Sequence, residues 1–329
     1  MTINDVIYGR WEINEPVLIE LLNSPSVTRL KNISQFAIPV EYHEIKAGFS
    51  RFEHSVGVML LLRMLNASLE EQVTGLLHDV SHTAFSHLID LVVGDGTKED
   101  YQDNRHYTFI KNSELPKILE KYGLNVDRIA NHKEDSLLEK ELPDICADRV
   151  DYGLREMYYL VDKKTPVELA KKILAIDNRM VFDSKDAAKK FAFMFLDRQK
   201  NHWGSPSKMF RWHIFSQAIK SALSKGIIRL NDFDRDDNYI MDKLINSNDP
   251  KIRRVLTTLR SQRPLNYQIN ESKPLVTLKK KFRYVDPLFV EGGDLKKYSK
   301  ADLSFMRIIE EEKSKNTNGV ALTFEYEKL

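Results

Sequence analysis

The sequence predicts a mainly α-helical protein: a helical domain over residues 1 to about 230, followed by a smaller α+β region over residues 231–329. Three observations predict it. Apolar residues recur at helical spacing behind recognisable caps, as in Ser68-Leu69-Glu70-Glu71 ahead of Val73, Leu76 and Leu77. Prolines stand in the first turn of expected helices, at Pro16, Pro143 and Pro166, where no intrahelical donor is lost. From about Asp234 the pattern changes to polar loops and two alternating stretches, residues 274–284 and 320–327.

In chain order, residues 7–13 read as a short strand or turn. Residues 16–22 and 26–33 read as short helices separated by Asn23-Ser24-Pro25. An amphipathic helix is expected over 52–65. The helix capped by Ser68 runs to His78-Asp79, which places that pair at a helix C-terminus, where the backbone dipole favours a bound cation. Ser81 is expected to cap a short helix over 83–92. A polar loop follows over 94–104, of a length suited to a lid or a substrate-facing loop. Helix resumes at 106–110 and 113–121, and Gly123 stops it. Residues 143–161 form a long helix on which Asp144, Asp148 and Asp151 recur at i, i+4 and i+7, flanked by apolar Ile145, Val150 and Leu154. Another helix starts at Thr165, residues 178–183 give a small strand or turn, and 184–200 and 208–225 are strongly helical. Beyond the boundary, one short helix over 240–245 lies between polar loops. Gly292-Gly293 is a turn, and residues 299–312 are a helix with Asp302 as its capping partner.

A chain of 329 residues can bury a large core, and 42% hydrophobic with 30% charged residues is ordinary for a soluble globular protein. Fifty basic and 48 acidic residues leave a net charge of +2, so any site for a polyanion must be local. The single Cys146 excludes an intramolecular disulfide and a thiolate metal cluster, and fits a reducing compartment. Residues 1–5 lack the basic-then-apolar signature of a secretory signal. The longest apolar runs, such as 58–62, fall far short of the roughly 20 residues of a membrane span. The expectation is a cytoplasmic protein with no membrane partner.

Residues 76–90, LLHDVSHTAFSHLID, set His78, Asp79, His82, His87 and Asp90 among apolar side chains. Ionisable groups beside buried surface lose hydration and need a compensating ion or partner. A divalent metal is the simplest one, since imidazole and carboxylate together suit borderline and hard ions. Further donors stand upstream in Arg51-Phe52-Glu53-His54 and downstream in Ala147-Asp148-Arg149-Val150-Asp151-Tyr152.

The ordered set His … His-Asp … Asp, over residues 54–148, resembles the HD-domain metal-dependent phosphohydrolases. The strings RFEHSVGV, LLHDVSHTAFSH and ADRVDYGLRE are most similar to the deoxynucleoside triphosphate triphosphohydrolase branch of that superfamily. The resemblance implies a helical HD-domain phosphohydrolase core and one divalent metal ion on His54, His78, Asp79 and Asp148. Manganese, iron, magnesium, nickel and zinc all suit such ligands. It implies that Arg51, one helical turn before His54, contacts the α-phosphate. His82, His87, Asp90 and His106 become an acid–base layer. In it His87 protonates the leaving 5′-oxygen, Asp90 and His106 orient that ring, and His82 lines the substrate. Gln35 stands where the family has a glutamine near the sugar 3′-hydroxyl. Arg149 replaces the family's usual lysine on phosphate, and Glu156 its usual aspartate on a sugar hydroxyl; both changes of reach bear on substrate identity. Tyr152 matches, to pack against or hydrogen-bond the nucleotide. Arg198 corresponds to an arginine on the terminal phosphates. Trp203 or Phe210 is the nearest counterpart of a tyrosine that excludes a ribose 2′-hydroxyl.

The implied activity is hydrolysis of a deoxynucleoside triphosphate to deoxynucleoside and triphosphate, by attack of metal-activated water at the α-phosphorus. The same ligands would serve a nucleotidase, a cyclic or signalling-nucleotide phosphodiesterase or a single-strand nuclease. A nucleotide-binding regulatory scaffold is the reading from another class. Lys279-Lys280-Lys281-Phe282-Arg283-Tyr284 could follow a nucleic-acid backbone, or be a solvated edge strand kept soluble by its lysines. A homo-oligomer is compatible with the family. The motif begins near the start of the chain, so the regulatory N-terminal extension of the best-known members, and nucleotide-activated tetramers with it, are not expected.

Overall fold

The computed structural model describes residues 1–45, 47–94, 99–131, 136–261 and 265–324. The chain opens on a hairpin of β1 (Thr2–Asp5) and β2 (Gly9–Glu12) in place of one short strand or turn. Asp5 closes it, its carboxylate accepting the Ile7 and Tyr8 N–H groups at 2.8 and 2.9 Å. Next come α1 (Pro16–Leu22) and α2 (Pro25–Arg29), the second capped by Ser24. Ser50 and Glu53 form a capping box that starts α3 (Arg51–Met64), and Ser68 caps α4 (Leu69–Leu77). His78 is the C-cap of α4, as its sequence pattern requires.

The helix expected over 83–92 is mostly replaced by an irregular turn, and α5 spans only Leu88–Val93. Tertiary bonds take the groups a helix would use. Ser81 caps nothing, because its hydroxyl meets His106 Nδ1 at 2.9 Å and accepts from Gln102 Nε2 at 2.8 Å. The Phe85 N–H donates to Asp237 at 2.7 Å and the Ala84 N–H to the Phe233 carbonyl at 2.9 Å. Of the polar loop expected over 94–104, residues 95–98 lie outside the described residues. Helix α6 (Tyr101–Asn112) already begins within that stretch, its first N–H donated to Asp90 at 3.0 Å. Then follow α7 (Leu115–Lys121) and α8 (Val126–Ala130).

Pro143 does not open a helix. Helix α9 runs over Ala147–Leu160, and Asp144, ahead of it, pairs with Lys297 at 2.8 Å instead of sharing a face with Asp148 and Asp151. After α10 (Thr165–Ala170), β3 (Ile173–Ile176) and β4 (Arg179–Phe182) make a full hairpin. Helix α11 (Lys185–Arg198) passes through a wide π turn, Gln199–Trp203, into α12 (Pro206–Ser224).

Helix α13 (Asp237–Asn246) is longer than expected, and α14 (Pro250–Arg260) starts at the end of the polar loop, in a stretch for which no element was expected. Asp249 caps α14, and Ile252, Leu256 and Leu259 are its buried i, i+4, i+7 stripe between charged residues. The remaining elements are β5 (Tyr267–Ile269), β6 (Val276–Leu278), β7 (Leu288–Glu291), β8 (Asp294–Lys297), α15 (Tyr298–Ala301), α16 (Leu303–Asn318) and β9 (Val320–Phe324). Residues 325–327 of the expected last strand lie outside the described residues. The three-stranded sheet β5-β9-β6 is antiparallel and sends Leu322 and Phe324 into a core shared with Phe210 and Phe215. The four-stranded sheet β3-β4-β7-β8 joins the two sides of residue 230. Its β4 runs parallel to β7, with Val181 opposite Leu288, and Val285, Phe289, Tyr298 and Phe305 enter the core of α3, α9 and α11. No described helix is long and apolar enough to cross a membrane.

Candidate metal centre

Three elements bring ligands to one point: α3 carries His54, the end of α4 carries His78 and Asp79, and the first turn of α9 carries Asp148. His54 Nε2 lies 3.2 Å from His78 Nε2 and 2.9 Å from the Asp148 carboxylate, while His78 Nε2 is 3.5 Å from the same carboxylate. One ligand atom from each of His54, His78 and Asp148 falls within 4.8 Å of the others, close enough to hold a single ion. Asp79 lies 3.5 Å from His78 Nε2 and 3.7 Å from His54 Nε2, at the edge of that group.

The donor chemistry fits a divalent metal. His54 Nδ1 is bonded to Asp151 at 2.8 Å and His78 Nδ1 to the Gly75 carbonyl at 2.7 Å, so both rings turn their Nε2 lone pairs inward. Two such nitrogens beside a carboxylate repel one another unless a cation stands among them. The charges around the group pull the same way. Burial alone would lower the His78 pKa, yet the Asp79 and Asp148 charges outweigh it and push it up to about 10. His54 is raised against its burial by Asp148 and Asp151. The Asp148 carboxyl, which burial would raise, is held down by the two imidazoles. Buried Asp79 is likewise held well below the carboxylate range by Arg51 and His78. The site is built to hold positive charge.

Behind His54 stands a support that sequence reasoning left unassigned. Asp151 is fully buried and receives Arg155 Nε at 2.9 Å and Nη2 at 3.0 Å; the same guanidinium reaches Asp5 of the N-terminal hairpin at 2.7 Å. Gly57 leaves the space: a Cβ there would come within 1.9 Å of Arg155 Nη2 and 2.1 Å of Asp151 Oδ1. The i, i+4 spacing of Asp151 and Arg155 was the available signal.

The metal group opens on a cavity of about 760 Å³ whose wall includes Gln35, Arg51, His82, His87, His106, Arg149, Tyr152 and Glu156. Arg51 donates to Asp79 at 2.6 Å and to Ser86 at 3.0 Å, beside the ligands. His82 Nε2 is 3.2 Å from Asp79; burial, then the Arg51 charge, depress its pKa well below the usual histidine value. His87 packs edge-on to His82 with ring centroids 4.9 Å apart, and its Nδ1 is 3.6 Å from Asp90, beyond a hydrogen bond. Asp90 stands behind the wall, and His106 is held by Ser81 rather than by Asp90. Arg149 donates to the Asp144 and Lys140 carbonyls at 2.6 and 3.0 Å, and Glu156 accepts Trp203 Nε1 at 2.8 Å.

Arg198, like Asp90, lies outside the cavity wall. It pairs with its neighbour Asp197. Trp203 does line the wall, whereas Phe210 packs in the core against Tyr267 and Phe324. The basic stretch 279–284 is not an edge strand, since β6 ends at Leu278; it sends Lys280, Lys281 and Arg283 to the cavity. Lys208 and Trp212 join them in the wall, and neither was singled out from the sequence.

Comparison with known proteins bears on the family. The family model described as HD domain matches residues 51–156, from the start of α3 to Glu156. The protein YdhJ of Bacillus subtilis is 34% identical over 295 residues, covering 87% of this chain and 88% of that one. The metal-dependent phosphohydrolase cns2 of Cordyceps militaris is 31% identical over 236 residues, 69% of this chain and 67% of that one. The deoxynucleoside triphosphate triphosphohydrolase SAMHD1 of Gallus gallus is 30% identical over 148 residues, 37% of this chain and 23% of that one.

Proposed function

This chain belongs to the HD-domain metal-dependent phosphohydrolases, and from that premise we propose that its substrate is a deoxynucleoside triphosphate, cleaved to deoxynucleoside and triphosphate. The observation that carries the reading is the company the metal group keeps. One cavity wall holds His78, Asp79 and Asp148 of the ligand group, the aromatic rings of Tyr152, Trp203 and Trp212, and the cations Arg149, Lys208, Lys280 and Arg283. Rings suit a nucleoside and cations a phosphate chain. Distant similarity to a triphosphohydrolase lends further support.

His54, His78 and Asp148, with Asp79 beside them, would hold the ion. A divalent ion so held supplies Lewis acidity, activating water and polarising a phosphoryl oxygen. The chain's own groups do the rest. Arg51, fixed by Asp79 and Ser86, presents its guanidinium to a phosphoryl oxygen at the ligands and offsets charge developing there. His82 stays neutral in its buried place and positions. His87 has a side chain 28% exposed to the cavity and donates the proton to the departing 5′-oxygen. Its Asp90 partner is close enough to orient the ring after a small rotation. Glu156, fixed by Trp203, and Gln35 accept or donate to sugar hydroxyls.

The test is product analysis of manganese-loaded protein with separate deoxynucleoside triphosphates, ribonucleoside triphosphates, monophosphates and short single strands. Equal amounts of deoxynucleoside and inorganic triphosphate are expected. Orthophosphate from monophosphates, or shortened strands, without any triphosphate would replace this substrate with another.

A further inference from the structure

Apart from the metal group, the cavity wall holds a second concentration of charge. Lys280 and Arg283 reach it from the extended segment between β6 and β7, and both pair with one carboxylate, Glu99, whose side chain is only 2% exposed. Lys280 Nζ lies 4.2 Å above the Trp212 ring. Lys208 Nζ is 5.5 Å from the centre of the same ring and 3.0 Å from His202 Nε2. Lys208, Lys280 and Arg283 are therefore three cations facing two carboxylates, Glu99 and the Trp203-bound Glu156.

A buried cation pair bridged by a single carboxylate has spare capacity for anion. A phosphate offers more oxygens and more charge to the same donors than a carboxylate does. Glu99 also sits at φ 54°, a left-handed conformation unfavourable for a glutamate, so leaving the pair costs its backbone little. Burial brings the Lys208 pKa down to about 7 against the pull of Glu156, with the Lys280 charge adding to the fall.

We propose that Glu99 keeps a distal-phosphate subsite closed, and that a polyphosphate chain exchanges with it on Lys280 and Arg283. The clamp then selects nucleotides by the length of their phosphate chain. The proposal deepens the triphosphohydrolase reading and rests on it for the substrate, while the binding step itself needs no turnover.

The test uses the full chain and inorganic tripolyphosphate, with orthophosphate as the short comparator, read by calorimetry and by fluorescence of Trp212 under Lys280. Glu99→Gln removes the internal anion and is expected to tighten tripolyphosphate binding by about tenfold. Lys280→Gln and Arg283→Gln are each expected to weaken it by about tenfold, with orthophosphate changing far less. In turnover, the two cation variants should raise KM for triphosphates. Unchanged tripolyphosphate affinity in Glu99→Gln overturns the clamp, and that variant leaves both cations in place should the others fold poorly. If deoxynucleoside triphosphates are not cleaved but binding follows this pattern, the substrate reading fails and the clamp stands. If they are cleaved and the variants bind like the parent, the clamp alone fails.

Discussion

His54 is held from both ends, by Asp151 at Nδ1 and by the ligand group at Nε2. Asp151→Asn keeps the shape but removes the charge that orients the ring. Metal affinity should drop by about 10- to 100-fold, read by manganese titration calorimetry, with His54 itself untouched. An unchanged affinity would remove Asp151 from the site. Asp79 stands at the edge of the ligand group, and Arg51 and His82 share its carboxylate. Asp79→Asn should lose metal and turnover together, and a variant that keeps full metal content and rate would refute its place as a ligand. At this scale the sequence was informative wherever chemistry is carried by local strings: His54, His78 and Asp148 do meet, with Asp79 at their edge. It was silent on Lys208 and Trp212, and misleading on Arg198, because which side of a helix faces a cavity depends on packing from distant residues.

The turn that replaces the expected helix over 83–92 is fixed from far along the chain. Asp237, at the start of α13, accepts the Ser34 N–H at 2.9 Å and the Phe85 N–H at 2.7 Å. Local propensity favours helix in that stretch, and these long-range bonds override it, so the sequence pattern could not reveal the turn. Burial pushes the Asp237 carboxyl up to about 7 despite the two donors. An unfolded aspartate releases its proton near pH 3.9, so between about pH 4 and 7 the native state binds the extra proton. Stability then falls as pH rises through that window, by up to about 1.4 kcal/mol per unit. Asp237→Asn should flatten this slope in denaturant midpoints, and equal slopes in both proteins would refute the assignment. On α3, Gly57→Ala forces a Cβ into Arg155 and Asp151. A loss of about 1–3 kcal/mol in unfolding free energy is expected, together with weaker metal binding. Elements with their own start signals, the first-turn proline of α1 and the serine caps of α3 and α4, were legible to within a residue or two. The hairpin β3–β4 and helix α14 were under-read, because their apolar faces are short and thinly spaced among charges.

For the whole molecule, the sheet β3-β4-β7-β8 ties residues 173–182 to residues 288–297. A chain cut after Leu230 exposes Met180, Val181 and Phe182 of β4, all buried in the full protein, and removes Phe289, Tyr298 and Phe305 from the core. Circular dichroism is expected to show a cooperative thermal transition for the full chain and none for the cut chain; a sharp, unshifted transition in the latter would show that residues 1–230 fold alone. Composition marked the change of character near residue 234, but sheet pairing across it leaves no trace in local pattern.

The placement of the cation wall also gives the molecule an order of assembly. During synthesis every proposed metal ligand has emerged by Asp148, whereas Lys280 and Arg283, which would grip a distal phosphate, emerge well over a hundred residues later. The ligands thus leave the ribosome long before the groups that would admit a long anion, and both sets come together only as the last sheet closes.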